Sequence, residues 1–142
     1  MAGICLKETT TARQFAEMTK YGIKALWPVE SGKDKGSHIG AMQMPVSMVM
    51  AWDWVQNTQK AVDLFNGNLT QSDTYVKVER KKKGFEKLPD LTDTQREDNA
   101  LSLYRIGNYY YVPNKTKDGW IEDADNKVGV AYAKAVRENV PK

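Results

Sequence analysis

The sequence predicts a mainly α-helical domain with at most a small β-sheet. An apolar stretch with helical spacing runs from about 48 to 66, and Thr92 and Gln95 form a capping-box pattern before a second such stretch. A third helical pattern runs from about 127 to 140. With 142 residues and 41% hydrophobic side chains, the chain is long enough to bury a core. We therefore expect residues 1–142 to form a single domain, with the alternative that they are a fragment of a longer chain.

The N-terminal third combines one interrupted helical pattern with a long irregular stretch. Residues 3–19 have helix-compatible spacing, but the β-branched run at 9–11 predicts a break. Glycine and proline punctuate residues 20–46 and predict a loop. A long ordered loop in a compact domain tends to be functional, so we expect part of a site there.

The central region is predicted to contain one long helix. Ser47 is a candidate N-cap, and Gly67 suits the position just after the end of a helix over 48–66. Residues 70–80 are compatible with either a second short helix or an extended segment. The predicted inward face of the long helix consists of Met48, Trp52, Val55, Val62 and Phe65.

The C-terminal region is predicted to hold two helices around an aromatic, turn-rich segment. The helix after Thr92 is expected to end near Gly107, and the turn-rich segment spans 108–125. Three adjacent tyrosines at 109–111 cannot all point inward, so we expect at least one to be exposed. The last helix is predicted to turn inward Ala131, Tyr132, Ala135 and Val136.

Composition argues against several classes of site. The single cysteine, Cys5, excludes an internal disulfide, and without a Cys/His cluster we expect no metal and no cofactor. No apolar run is long enough to predict membrane insertion. The net charge of +3 is concentrated at 80–83, which indicates a solvated loop or helix end, or else attraction to an anionic polymer. Because no aromatic residues interrupt this run, we predict no nucleic-acid partner.

Three short motifs occur in an order that resembles one enzyme family. Glu8 comes first, Gly40-Ala41-Met42-Gln43-Met44 follows, and Ala100-Leu101-Ser102-Leu103-Tyr104-Arg105 comes last. The second motif is similar to the Gly-Leu-Met-Gln-Ile signature of lysozyme-like lytic transglycosylases, and the third resembles their Ala-x-x-Ala-Tyr-Asn motif. Arg105 stands where that family has Asn. The resemblance implies a lysozyme-like fold and cleavage of the MurNAc–GlcNAc β-1,4 bond of bacterial peptidoglycan.

One glutamate is sufficient for the chemistry that the resemblance implies. A carboxylic acid in an apolar setting has a raised pKa and can protonate the leaving oxygen. Most glycosidases add a second carboxylate, whereas in this family the acetamido group of the substrate assists. We favour Glu8 as this catalytic acid. Glu30, in the dipeptide Glu30-Ser31, is the alternative, but only nine residues lie between Glu30 and Gly40, which is shorter than the family pattern.

The resemblance also implies a set of substrate-binding residues and a site of action. The expected substrate-binding residues are Met42, Gln43, Trp52, Tyr104, Tyr109 and Tyr132. Peptidoglycan strands lie in the periplasm or cell wall, and the N-terminus has no signal-peptide pattern. We therefore expect delivery by a phage or a secretion system, or a place in a larger protein. The alternatives left open are hydrolysis instead of anhydro-sugar formation, and a non-catalytic glycan-binding or structural module with the same fold.

Overall fold

The computed structural model describes Ile4 and residues 54–139. The predictions for residues 5–53 therefore lie outside the described residues, including those for the catalytic candidates Glu8 and Glu30. The same holds for the predicted binding residues Met42, Gln43 and Trp52. By their internal contacts the residues fall into two compact units, 64–135 and the rest of the chain. The single-domain prediction stays a prediction.

The described residues are mainly helical with one small sheet, as predicted. Helix α1 spans Trp54–Arg80, α2 spans Asp93–Ile106 and α3 spans Lys127–Glu138. Strands β1 (Tyr111–Pro113) and β2 (Trp120–Glu122) pair antiparallel between α2 and α3. None of the described helices is long and apolar enough to cross a membrane.

Helix α1 continues through Gly67, so the predicted helix end at this residue is wrong. A glycine in a helix interior costs only about 1 kcal/mol relative to alanine. Contacts on its C-terminal side outweigh that cost: the buried Asn68 side chain donates to the carbonyl of Ala100 at 3.2 Å, and Ser72 and Val76 are also buried. The undecided segment 70–80 is thus the second half of one helix.

The predicted inward face of α1 is also wrong at Val55, which is 54% exposed. Val62 and Phe65 are half-buried. The buried stripe runs instead through Asn57, Ala61, Asn68, Ser72, Val76 and Glu79. Small and amide side chains make up most of this stripe, and a hydropathy pattern does not detect them.

Helix α2 has the ends that the sequence predicts. The Thr92 hydroxyl accepts from the Gln95 N–H at 3.2 Å, and the Gln95 side chain accepts from the Thr92 N–H at 3.0 Å. At the other end Gly107 has a φ of 73°, and its N–H bonds to the carbonyl of Leu103. This left-handed conformation suits glycine, so the chain turns sharply there toward the hairpin.

Helix α3 begins as predicted but buries a different set of residues. Tyr132 and Val136 are buried as expected, whereas Ala131 is exposed and Ala133 is completely buried. Gly129 is buried as well and packs against Ser102 of α2. An α-helix completes one turn every 3.6 residues. A helix face that contains residue 129 therefore also contains residues 132, 133 and 136 but excludes residue 131.

Candidate functional site

A buried amide positions the three adjacent tyrosines. Asn99 in α2 is completely buried, and its Oδ1 accepts from the N–H groups of Tyr110 and Tyr111, both at 2.9 Å. Its Nδ2 has no hydrogen-bond partner among the described residues. The start of the hairpin is therefore held against α2 by two bonds from a single side chain, which fixes the directions in which the neighbouring tyrosine rings point.

A second buried amide joins the hairpin to α3. The Asn126 Nδ2 donates to the hydroxyl of Ser102 and to the carbonyl of Tyr109, both at 2.7 Å. Its Oδ1 accepts from the N–H of Gly129 at 3.0 Å, and the Ser102 hydroxyl donates to the carbonyl of Asn108 at 2.7 Å. Every hydrogen-bonding atom of the Asn126 side chain is used, so the segment before Tyr109 has a defined path.

Three aromatic side chains from distant parts of the sequence meet on unit 64–135, and we call them the aromatic cluster: Tyr75, Tyr109 and Trp120. The Tyr75 and Tyr109 rings stack with centroids 3.9 Å apart, and Trp120 lies tilted against Tyr75 at 5.6 Å. All three are half-buried. Part of each of the three aromatic residues is therefore open to solvent.

Polar groups lie at the edges of the aromatic cluster. The exposed Gln71 side chain donates to the Tyr109 hydroxyl at 3.3 Å, and the Trp120 indole N–H donates to the carbonyl of Pro89 at 3.0 Å. Burial, and then the charge of Glu79, raise the pKa of the Tyr75 hydroxyl. Tyr75 is thus a neutral phenol over the physiological pH range, which suits an uncharged ligand with hydroxyl groups.

The carboxylates with a shifted pKa do not suit the role of a general acid. Glu122 accepts from the Tyr110 hydroxyl at 2.8 Å and from Lys134 at 3.0 Å, and these bonds lower the pKa of Glu122. Hydrogen bonds likewise lower the pKa of Glu86 and of Asp118. A lowered pKa keeps a carboxyl ionised at neutral pH, whereas an acid catalyst must hold its proton.

The predicted binding residues that the structure describes lie in different surroundings. Tyr104 is half-buried in α2, and Tyr109 belongs to the aromatic cluster. Tyr132 is only 4% exposed, and the guanidinium of Arg105 lies 5.9 Å from the centroid of its ring. Of the three adjacent tyrosines, Tyr110 is buried and its two neighbours are half-buried, so none is as exposed as the sequence analysis expected.

Sequence reasoning missed Tyr75 and Trp120. Tyr75 lies in segment 70–80, for which the sequence was compatible with a helix or an extended segment. In a helix, Gln71 and Tyr75 are four residues apart and share one face, and this spacing is the signal that could have found Tyr75. Trp120 follows the turn residues Asp118-Gly119, and a lone tryptophan after such a turn is a signal for the start of a strand. No group of histidine, cysteine and acidic side chains among the described residues is arranged to hold a metal ion.

Comparison with known proteins adds no assignment to this geometry. No protein-family description, no curated protein and no solved structure matches the chain.

Proposed function

We propose that the chain cleaves the MurNAc–GlcNAc β-1,4 bond of bacterial peptidoglycan. The observation that supports this best is the aromatic cluster, one member of which follows the third sequence motif closely in the chain. Tyr104 belongs to that motif, α2 ends two residues later at Ile106, and Tyr109 then stacks on Tyr75. A half-exposed aromatic surface suits the apolar face of a sugar ring, and the amide of Gln71 suits its hydroxyl groups.

In this proposal Glu8 is the catalytic acid. It gives its proton to the glycosidic oxygen as the bond to C1 of MurNAc breaks. Its carboxylate then removes the proton of the C6 hydroxyl of the same sugar, whose oxygen bonds to C1 and forms a 1,6-anhydro end. If water attacks C1 instead, the product is a reducing end. None of the described carboxylates with a shifted pKa competes for the acid role, because each of these pKa values is lowered.

Digestion of purified sacculi tests the proposal. We expect the wild type to release soluble fragments, and Glu8→Gln to release at least about a hundredfold fewer, because a positioned general acid contributes on that order. Glu30→Gln and the exposed Glu138→Gln serve as matched carboxylate-to-amide controls and should retain activity. Anhydro ends are one water lighter than reducing ends, so product masses identify the mechanism. Full activity of Glu8→Gln with loss in Glu30→Gln would transfer the acid role to Glu30.

A non-catalytic glycan-binding module is the second candidate, and Arg105 is the observation that favours it. Arg105 replaces the asparagine of the related motif, and its guanidinium lies over the Tyr132 ring instead of offering an amide. This candidate predicts retention on sacculi without any soluble product. Tyr75→Ala should then weaken retention, whereas replacement of the exposed Val128 by alanine should not.

A further inference from the structure

Two lysine-bearing segments that are distant in sequence lie side by side on unit 64–135. The ammonium group of Lys117, in the hairpin loop, lies 4.6 Å from the centroid of the Phe85 ring. A side chain at Gly84 would come within 3.2 Å of the same Lys117 nitrogen. The turn at 81–87 is therefore packed against the hairpin loop. We call the exposed lysines of these two segments that form no ion pair within residues 54–139 the basic edge: Lys81, Lys83, Lys87, Lys115 and Lys117.

Most ammonium groups of the basic edge are available to a ligand. Within residues 54–139, Lys81, Lys83, Lys87 and Lys115 form no ion pair, and all four are exposed. The cations nearby are already occupied, since Arg80 pairs with Asp90 at 2.9 Å and Lys82 with Glu79 at 2.6 Å. These four lysines of the basic edge therefore carry positive charge that forms no ion pair within residues 54–139.

The basic edge adjoins the aromatic cluster. Trp120 begins β2 directly after the hairpin loop, and its indole N–H bonds to Pro89, just beyond the lysine-bearing turn. Trp120 therefore connects the aromatic cluster to both lysine-bearing segments, by the chain to the hairpin loop and by this bond to the end of the turn. Peptidoglycan glycan strands carry peptide stems with free carboxylates, whereas chitin-like strands of the same sugars are neutral.

We propose that the basic edge binds the carboxylates of the peptide stems, so that stem-bearing peptidoglycan is the preferred ligand. This inference rests on the proposed function, because it assigns the glycan to the aromatic cluster. A peptide stem is favoured over a single-stranded nucleic acid for two reasons. The Phe85 face at the edge is covered by Lys117, so it offers no platform for bases. Glu86 and Asp118 interrupt the lysines, which suits separated carboxylates better than a continuous phosphate backbone.

Retention on two forms of one polymer tests the assignment. The probes are intact sacculi and the same glycan strands after enzymatic removal of the stems. Lys83→Gln/Lys115→Gln should bind intact sacculi about fivefold more weakly than the wild type at low salt, the size expected for the loss of two exposed ion pairs. Lys60→Gln/Lys127→Gln removes the same charge elsewhere and should bind as the wild type does. On stem-free strands all three proteins should bind equally.

The charge-retaining variant and the product masses separate the possible failures. Lys83→Arg/Lys115→Arg should bind intact sacculi as the wild type does, which excludes a folding defect as the cause. Equal weakening on intact and stem-free strands, or none on either, would overturn the stem assignment. A third outcome would assign the basic edge to nucleic acid instead. In it, single-stranded DNA competes with sacculi for the wild type but not for Lys83→Gln/Lys115→Gln, and the wild type shows no preference for stem-bearing strands. Stem-dependent retention without anhydro or reducing ends would refute the proposed cleavage alone.

Discussion

Replacement of Asn99 by alanine tests whether this side chain holds the tyrosine-bearing segment in place. The Asn99 Oδ1 accepts two backbone N–H bonds at 2.9 Å and is completely buried. Loss of the acceptor leaves the N–H of the buried Tyr110 unpaired, which lowers the free energy of unfolding by about 2 kcal/mol. The N–H of the half-buried Tyr111 can bond to water instead, so loss of its bond to Asn99 lowers the free energy of unfolding by about 1 kcal/mol.

Two further effects of Asn99→Ala nearly cancel. The variant also removes the buried Nδ2, which has no partner among the described residues. Removal of this unpaired donor raises the free energy of unfolding by about 1 kcal/mol. The small cavity left by the side chain costs a similar amount. We therefore expect the free energy of unfolding to fall by about 3 kcal/mol, and Tm to fall by about 10 °C for a chain of this length.

Urea and thermal unfolding followed by circular dichroism measure this loss, with Asn108→Ala as the matched control. The Asn108 side chain is exposed, and this residue accepts the Ser102 hydroxyl through its backbone carbonyl, so its replacement should change stability by less than about 0.5 kcal/mol. Amide exchange should quicken at Tyr110 and Tyr111 in Asn99→Ala. A loss no larger than that of the control, or unchanged exchange at both tyrosines, would refute the argument.

Two further predictions concern packing and pH. Gly129→Ala should lower the free energy of unfolding by more than about 2 kcal/mol, because its methyl group would collide with the Ser102 hydroxyl. A methyl group at Gly67 would have no neighbour within 4 Å, so Gly67→Ala should raise the free energy of unfolding by about 0.5 to 1 kcal/mol. Equal urea midpoints for the two glycine variants would contradict this reasoning. Because folding lowers the pKa of Glu122, its contribution is complete above the unfolded pKa and is lost as pH falls through the folded value. Unfolding measured from about pH 6 to 3 should show a shallower decline in Tyr110→Phe than in the wild type, and identical profiles would contradict the role of this bond.

The elements that sequence analysis predicted well depend on local interactions. The capping box at Thr92 and the left-handed Gly107 involve residues within one helical turn, so both ends of α2 are evident from the sequence. The errors at Gly67 and Ala131 have the opposite origin. At each, contacts with residues distant in sequence decide whether the helix continues or which face is buried. At Gly67 these contacts outweigh a preference of about 1 kcal/mol against glycine in a helix.

The candidate site was predictable only in part for the same reason. Of the aromatic cluster, the sequence analysis named only Tyr109, whereas the role of Tyr104 stays a prediction. Tyr75 and Trp120 contribute equally to the aromatic cluster but come from a helix and a strand well separated in the chain. No local pattern relates their rings, so only the fold of unit 64–135 shows that they meet.

The sequence by itself determined the mainly helical character, the bounds of α2 and the order of motifs on which the proposed cleavage rests, because each is encoded in neighbouring residues. The tertiary structure decided the continuous α1, the buried amides Asn99 and Asn126, the aromatic cluster and the basic edge. The physical reason is that a buried hydrogen bond or a ring contact depends on the geometry of both partners. That geometry exists only once the elements have packed.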